Sequence, residues 1–256
     1  MRILNKFFGA AAAIMLLAAA PASAQEKLKI GTEGAYPPFN TISADGKLVG
    51  FDIDIADALC AQMKVECELV TQDWDGIIPA LQAGKFDAII ASMSITEERK
   101  KQVGFTNKYY TTPLALVALK DTDLAGTDPA ALAGKTVGAQ ASTTQSVYAE
   151  DFYGKGGADV KLYPTQEEAM VDLENGRLDA VISDKFVLYD WIKTTGSDCC
   201  KMVGDVAGTE TEAGIAIRLE DTALRDKLNA ALDAIRADGT YQKIQAKYFD
   251  FDIFGK

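Results

Sequence analysis

The stretch LQAGKFDAIIAS, residues 81–92, returns almost intact as LENGRLDAVISD, residues 173–184. Leu, Gly, Asp, Ala and the apolar positions after them recur at a constant offset of 92. Each copy reads as the end of a helix, a glycine stop and a short buried strand. A second, weaker pair lies upstream of these: KIGTEGAYP from Lys29 and TVGAQASTT from Thr136. Each is a strand that breaks at a glycine and runs into small and polar residues. Both pairs fall in the same order, at a spacing too long for a solenoid, and so predict two similar α/β lobes.

Aligning the copies on their glycines turns the repeat into a candidate site. Two positions past Gly31 stands Glu33, and two past Gly138 stands Gln140; five past give Tyr36 and Thr143. Five past the repeated Asp come Ser92 and Asp184. All six lie just beyond the carboxyl ends of predicted strands, where open α/β sheets place ligands. Internal symmetry alone thus nominates them as cleft residues. SITEER, residues 94–99, carries a helix N-cap signature with acidic first-turn residues and a basic one. Thr143, Thr144 and Gln145 open a second helix running through Tyr148 and Ala149. Two helix N-termini aimed into a cleft would make an anion site. A last helix is expected from about Asp221 to Arg236, with Leu224, Leu228, Leu232 and Ile235 on one buried face.

Composition closes several doors. The chain has 256 residues, 26 Lys+Arg against 37 Asp+Glu, a net charge of −11 and no histidine. Such acidity is a poor match for a phosphate backbone, so nucleic-acid binding is not expected. Without histidine there is no Ser-His-Asp or Cys-His catalysis and no His-ligated zinc. Arg2 and Lys6, the apolar run from Phe7 to Ala20, and Ala22-Ser23-Ala24 before Gln25 read as a cleaved export leader over residues 1–24. The apolar run is short of the ~20 residues a bilayer crossing needs.

Export permits disulfides. Cys60 and Cys67 flank AQMKVE, where an apparent helix, FDIDIADALCAQM, gives way to a strand, ECELV. That span favours a structural disulfide over two buried thiols. Cys199 and Cys200 are adjacent; a free or partner-linked pair is as acceptable there as a strained bridge between neighbours. No C-x2-C metal motif exists, and no metal or cofactor is expected.

Catalytic patterns are missing elsewhere too. Glu33 and Asp184 do not fall in a general acid/base arrangement of known spacing, no glycine-rich phosphate loop is present, and there is no S-x-x-K. What remains is a cleft with anion donors, two carboxylates and aromatic faces at Tyr36 and Trp74. That combination suits a zwitterion with its side chain clamped between rings.

The motifs IGTEGAYPPF, LVGFDIDIADALC, DWDGIIPAL, GKFDAIIASMSITEERK, TVGAQASTTQ, GRLDAVISD and DGTYQKIQAKYFDF together resemble the periplasmic solute-binding proteins for polar amino acids (family 3). The likeness covers residues 27–254 and is strongest to the lysine/arginine/ornithine- and histidine-binding group. It implies a two-lobed periplasmic binding protein fold of type II, two α/β lobes joined by two crossovers and closing on the ligand like a hinge. Lobe 1 is expected over 25–112 plus 208–256, lobe 2 over 113–207. It also implies a non-enzymatic monomer that hands an amino acid to the membrane permease of an ABC importer.

Residue by residue, the resemblance implies that Arg99 pairs with the ligand α-carboxylate, assisted by Ser94 and the Thr144 backbone. Asp184, with Ser92, would take the α-ammonium. Tyr36 and Trp74 would sandwich the side chain, and Glu33 and Gln145 would meet its distal end. Three positions depart from the group: Glu33 where Asp is usual, Ala91 where Ser is common, and Gln140 where an apolar residue is frequent. An acidic distal pocket still favours a cationic side chain, in the order arginine, lysine or ornithine, then histidine or an arginine-derived opine. The alternatives are a binder of a neutral polar amino acid, a cyclohexadienyl dehydratase-like enzyme on the same fold, and a receptor's sensing module. The last is disfavoured because no membrane span or signalling domain follows before Lys256.

Overall fold

The computed structural model describes residues 27–255, so the expected leader over 1–24 lies outside the described residues. The chain opens with β1 (Lys27–Thr32), followed by a small meander of β2 (Ala35–Tyr36), β3 (Asn40–Ile42) and β4 (Leu48–Val49). Then come α1 (Phe51–Met63), β5 (Glu66–Thr71), α2 (Trp74–Gln82), β6 (Ala88–Ile89), α3 (Glu97–Lys100), β7 (Gly104–Thr112) and β8 (Leu114–Leu119). The next segment holds β9 (Thr136–Gln140), α4 (Thr144–Tyr148), β10 (Asp159–Tyr163), α5 (Gln166–Glu174), β11 (Ala180–Asp184), α6 (Lys185–Lys193) and β12 (Cys200–Asp205). The chain finishes with β13 (Thr211–Ile217), α7 (Thr222–Ala237) and α8 (Thr240–Tyr248).

Two five-stranded sheets result, ordered β5-β1-β6-β13-β7 and β10-β9-β11-β8-β12. In each, three strands pair in parallel, and a fourth, β13 or β8, pairs antiparallel with its neighbours on both sides. The chain passes between the sheets at Pro113 and again between β12 and β13. Strands β1 and β9 hold the same place in their sheets, as do β6 and β11, and these are the strands of the sequence repeat.

The repeated residues have matching physical tasks. Gly84 and Gly176 follow α2 and α5 with φ of 73° and 67°, the left-handed conformation that ends a helix. Backbone bonds back into the last turn close both ends, Lys85 to Ala80 and Arg177 to Asp172. Asp87 and Asp179 each accept a hydrogen bond from the equivalent strand of their sheet, β1 at Lys29 N and β9 at Thr136 N. A Cβ on Gly31 would stand 2.6 Å from the Phe86 ring, and one on Gly138 would stand 2.5 Å from Leu178 Cδ1. Phe86 and Leu178 are themselves equivalent residues of the repeat, so both lobes use the same strand-to-loop packing.

Cys60 and Cys67 form a disulfide tying the end of α1 to β5, with Cα atoms 5.9 Å apart. Cys199 and Cys200 are also bridged to one another. The last long helix buries Leu228, Leu232 and Ile235, with Leu224 packed partly buried against the same core. One feature crosses the expected boundary. Phe186 and Val187, on α6 of the second sheet's segment, belong to the first core cluster, with Phe186 against Phe249 and Phe251 of the carboxyl-terminal tail. Among the described residues no helix is long and apolar enough to cross a membrane.

Candidate functional site

Strand ends of both sheets converge on one cavity. It is lined by Glu33, Tyr36, Trp74, Ala91, Ser92, Ser94, Arg99, Gln140, Thr143, Gln145 and Asp184. These are the expected residues with one exception: Thr144 lines a separate hollow on the outer side of Arg99 and Trp74. Thr143 is the N-cap of α4 and closes a capping box with Ser146. The Thr144 hydroxyl still reaches Ser94 Oγ, 3.4 Å away.

Each end of the cavity has its own electrostatics. Asp184, at the end of β11, is fully buried and accepts a 2.8 Å hydrogen bond from the Tyr36 hydroxyl on Oδ2. Its Oδ1 has no hydrogen-bond partner among the described residues. Burial lifts its pKa to about 6, against the lowering effects of Tyr36 and the Arg99 charge. Arg99 donates to the Ser94 carbonyl at 3.0 Å and, more weakly, to the Ser142 carbonyl at 3.4 Å. Its guanidinium carbon lies 5.2 Å from the centre of the Trp74 ring, a cation–π contact. Burial draws the Arg99 pKa down to about 10, and Asp184 opposes that shift.

At the far end, Glu33 accepts a 2.6 Å hydrogen bond from Gln140 Nε2, which also reaches the Pro164 carbonyl. Burial pushes the Glu33 pKa up to about 7; Gln140 opposes this, and Glu167, Asp73 and Asp75 add like-charge repulsion. Gln145, expected at this distal end, instead donates at 3.2 Å to the Tyr36 hydroxyl, the same hydroxyl that bonds Asp184. Tyr36 is therefore held by its hydroxyl, which lies 3.1 Å from Ser183 Oγ as well.

One expectation changes in detail. The helix after Ser94 has only four residues and is capped by Thr96, whose hydroxyl accepts from Arg99 N. A dipole of that length is small, so the positive end of the cavity rests on the Arg99 charge rather than on a helix N-terminus. The Ser92 hydroxyl donates at 3.0 Å to Asp52. With its proton committed there, the Ser92 oxygen offers the cavity only acceptor lone pairs.

Sequence reading missed Asp52 altogether. It is buried beneath Ser92, accepting from Asn40 and Ser92 on one oxygen and from Tyr109 on the other. Tyr109 also receives the Ser92 backbone N–H, so this network fixes the Ser92 turn, where φ is +55°. Asp52 looks in sequence like an ordinary first-turn acid of α1, and its partners are scattered along the chain.

The cavity is small, about 20 Å³, room for roughly one water. Hydrogen bonds in which Tyr36, Trp74 and Arg99 donate, Glu33 accepts and Ser94 meets Thr144 already span from one sheet's side to the other. Among the described residues no cluster of three or more potential metal ligands is present.

The sequence matches the bacterial extracellular solute-binding proteins, family 3, over residues 28–251. It is 45% identical to the L-arginine-binding protein of Pseudomonas aeruginosa, over 96% of each chain. It is 43% identical to ABC transporter arginine-binding protein 1 of Escherichia coli, over 89% of this chain and 93% of that one. Among solved structures, an ancestral arginine-binding protein bound to arginine superposes with a TM-score of 0.83 at 40% identity, covering 88% of this chain and 99% of that one.

Proposed function

The chain belongs to the bacterial extracellular solute-binding proteins, family 3, and from that premise we propose that it is the binding component of an ABC amino-acid importer, taking a cationic L-amino acid between its lobes. Arginine is the first choice, before lysine or ornithine, with histidine and arginine-derived opines behind. One observation carries the reading. Arg99 and Asp184, a cation and an anion, line the same cavity, and neither is joined to an opposite charge among the described residues. An α-amino acid supplies both missing partners at once: its carboxylate for Arg99 and its ammonium for Asp184 and the Ser92 oxygen. Glu33 then lies at the distal end for a guanidinium or ammonium, and Trp74 offers it a ring face.

A cavity of about 20 Å³ is too small for an amino acid, so binding requires the lobes to part and close again on the ligand. The lobes, 25–112 with 208–256 and 113–207, turn about the passages at Pro113 and between β12 and β13. The ligand acts as the bridge that replaces direct contacts such as Tyr36 with Asp184. In this reading the protein is exported by its leader, works as a monomer in the periplasm without cofactor or nucleic acid, performs no catalysis, and delivers its ligand to the importer's membrane permease.

Calorimetry with arginine, lysine, ornithine, histidine, citrulline and glutamine tests the reading. Tight binding of the cationic members is expected; tight binding of glutamine or citrulline with none of arginine would overturn it. The second reading, a neutral polar ligand, has one observation in its favour. With its pKa near 7, Glu33 is partly protonated at neutral pH and hydrogen-bonds Gln140, so this end of the cavity can also serve an uncharged amide.

A further inference from the structure

The carbonyl oxygen of Ser142, at the rim of the cleft, receives two donors from the opposite lobe. The Trp74 indole N–H donates to it at 3.0 Å, and Arg99 Nη2 approaches at 3.4 Å. Trp74 is the first residue of α2 and Arg99 lies on α3, so both come from the first sheet's side, while Ser142 lies between β9 and α4. The same indole presents its face to the Arg99 guanidinium. Ser142 is one of the few non-glycine residues with positive φ, at +59°. That conformation is strained for a residue with a Cβ and persists only where its surroundings enforce it. Here they do: Thr143 Oγ1 donates to Gln140 O at 2.7 Å, and the Thr143–Ser146 capping box fixes the following turn. The carbonyl is thus held in place for its donors.

We propose that Trp74 is a positioning residue that latches the two lobes through the Ser142 carbonyl, and that this latch sets how slowly a bound ligand leaves. Phenylalanine in its place would keep a ring for Arg99 but lose the N–H. The indole supplies both the face and an edge donor. The latch breaks when the lobes part, so its loss acts on release more than on capture. The inference rests on the cleft being the ligand site.

Stopped-flow measurement of arginine release from the unaltered chain and from Trp74→Phe tests it. Release is expected to quicken about 3- to 10-fold, the effect of one net hydrogen bond. A second measurement needs no substitution. The chain has two tryptophans, so the indole N–H region of a proton–nitrogen spectrum holds two signals, and the Trp74 signal is expected to gain protection from hydrogen exchange when arginine is added. Release from Trp74→Phe at the unaltered rate, or an indole N–H that exchanges equally fast with and without arginine, would overturn the latch. If the unaltered chain binds no cationic amino acid, the ligand reading fails instead, and the two failures are told apart by the first titration.

Discussion

Glu33 and Gln140, two residues past equivalent glycines in the two lobes, meet across the cleft in a 2.6 Å hydrogen bond. The internal repeat of the sequence therefore closes on itself at the far end of the cavity. Because burial raises Glu33 to about 7, the charge at this end depends on pH within the ordinary working range.

A cationic side chain bound beside Glu33 favours the ionised carboxylate. Below pH 7 binding must expel a proton, so arginine affinity is expected to rise between pH 5.5 and 7.5 and then level off. Asp184, raised to about 6, adds a lower step shared by every α-amino acid because all bring an ammonium. Glu33→Gln should remove the upper step and weaken arginine by about tenfold, with a much smaller loss for glutamine. Titrations in buffers of different ionisation enthalpy count the released protons. Equal losses for arginine and glutamine would take Glu33 out of the specificity argument.

Stability without ligand should run the other way. Glu33, Asp52 and Asp184 all have folded pKa values raised by burial, to about 7, 6 and 6. A raised carboxyl pKa means the folded state holds more protons than the unfolded one. Its contribution is full below the unfolded value near 4.5 or 3.8 and is lost as pH rises through the folded value. The thermal midpoint of the ligand-free chain is therefore expected to be higher at pH 5 than at pH 7.5. Saturating arginine should shrink or reverse that difference, since it favours the charged forms of Glu33 and Asp184. Differential scanning calorimetry at the two pH values, with and without arginine, measures both slopes.

What could be read from sequence follows from where each signal resides. Gly84, Asp87 and their copies Gly176 and Asp179 are fixed by local backbone requirements, so they recur at constant spacing and reveal both lobes. The cleft residues inherit that legibility because they follow the same strands. Asp52 was illegible because its role depends on Asn40, Ser92 and Tyr109, which share no period with it. Ser142 was hidden for another reason: it acts through a carbonyl, and every residue has one. Phe186 reads as an apolar residue of its own lobe. Only the tertiary packing places it against Phe249 and Phe251 at the chain's far end.

The close approach of Gly31 to Phe86 gives a direct test of why the repeat keeps its glycines. A methyl group at 31 would stand 2.6 Å from the ring of Phe86, which is fully buried and has nowhere to move. Gly31→Ala should therefore cost about 1–3 kcal/mol of stability. Phe86→Ala in the same chain removes the ring that the methyl group meets, so the double variant should lose less than the sum of the two single losses. The two single variants and the double variant form a thermodynamic cycle by urea unfolding. Additive losses would show that ring and glycine are not in conflict.

The strongest test of the ligand pose concerns Arg99. It has carbonyl partners at Ser94 and Ser142 but no carboxylate, in a cavity where Asp184 is the opposite charge and is itself turned toward Tyr36. If the ligand carboxylate binds Arg99, Arg99→Ala deletes one member of a buried charge pair and leaves the other unpaired, a loss of about 2–5 kcal/mol. That is a fall in affinity of at least 30-fold for every α-amino acid, cationic or neutral. Agmatine, which keeps the guanidinium but has no carboxylate, supplies the contrast: it is expected to bind the unaltered chain weakly, and Arg99→Ala should not weaken it further. Calorimetry on both ligands separates the outcomes. An Arg99→Ala chain that still holds arginine at its original affinity would place the carboxylate elsewhere in the cleft and leave Arg99 with only its structural tie to Ser94 and Ser142.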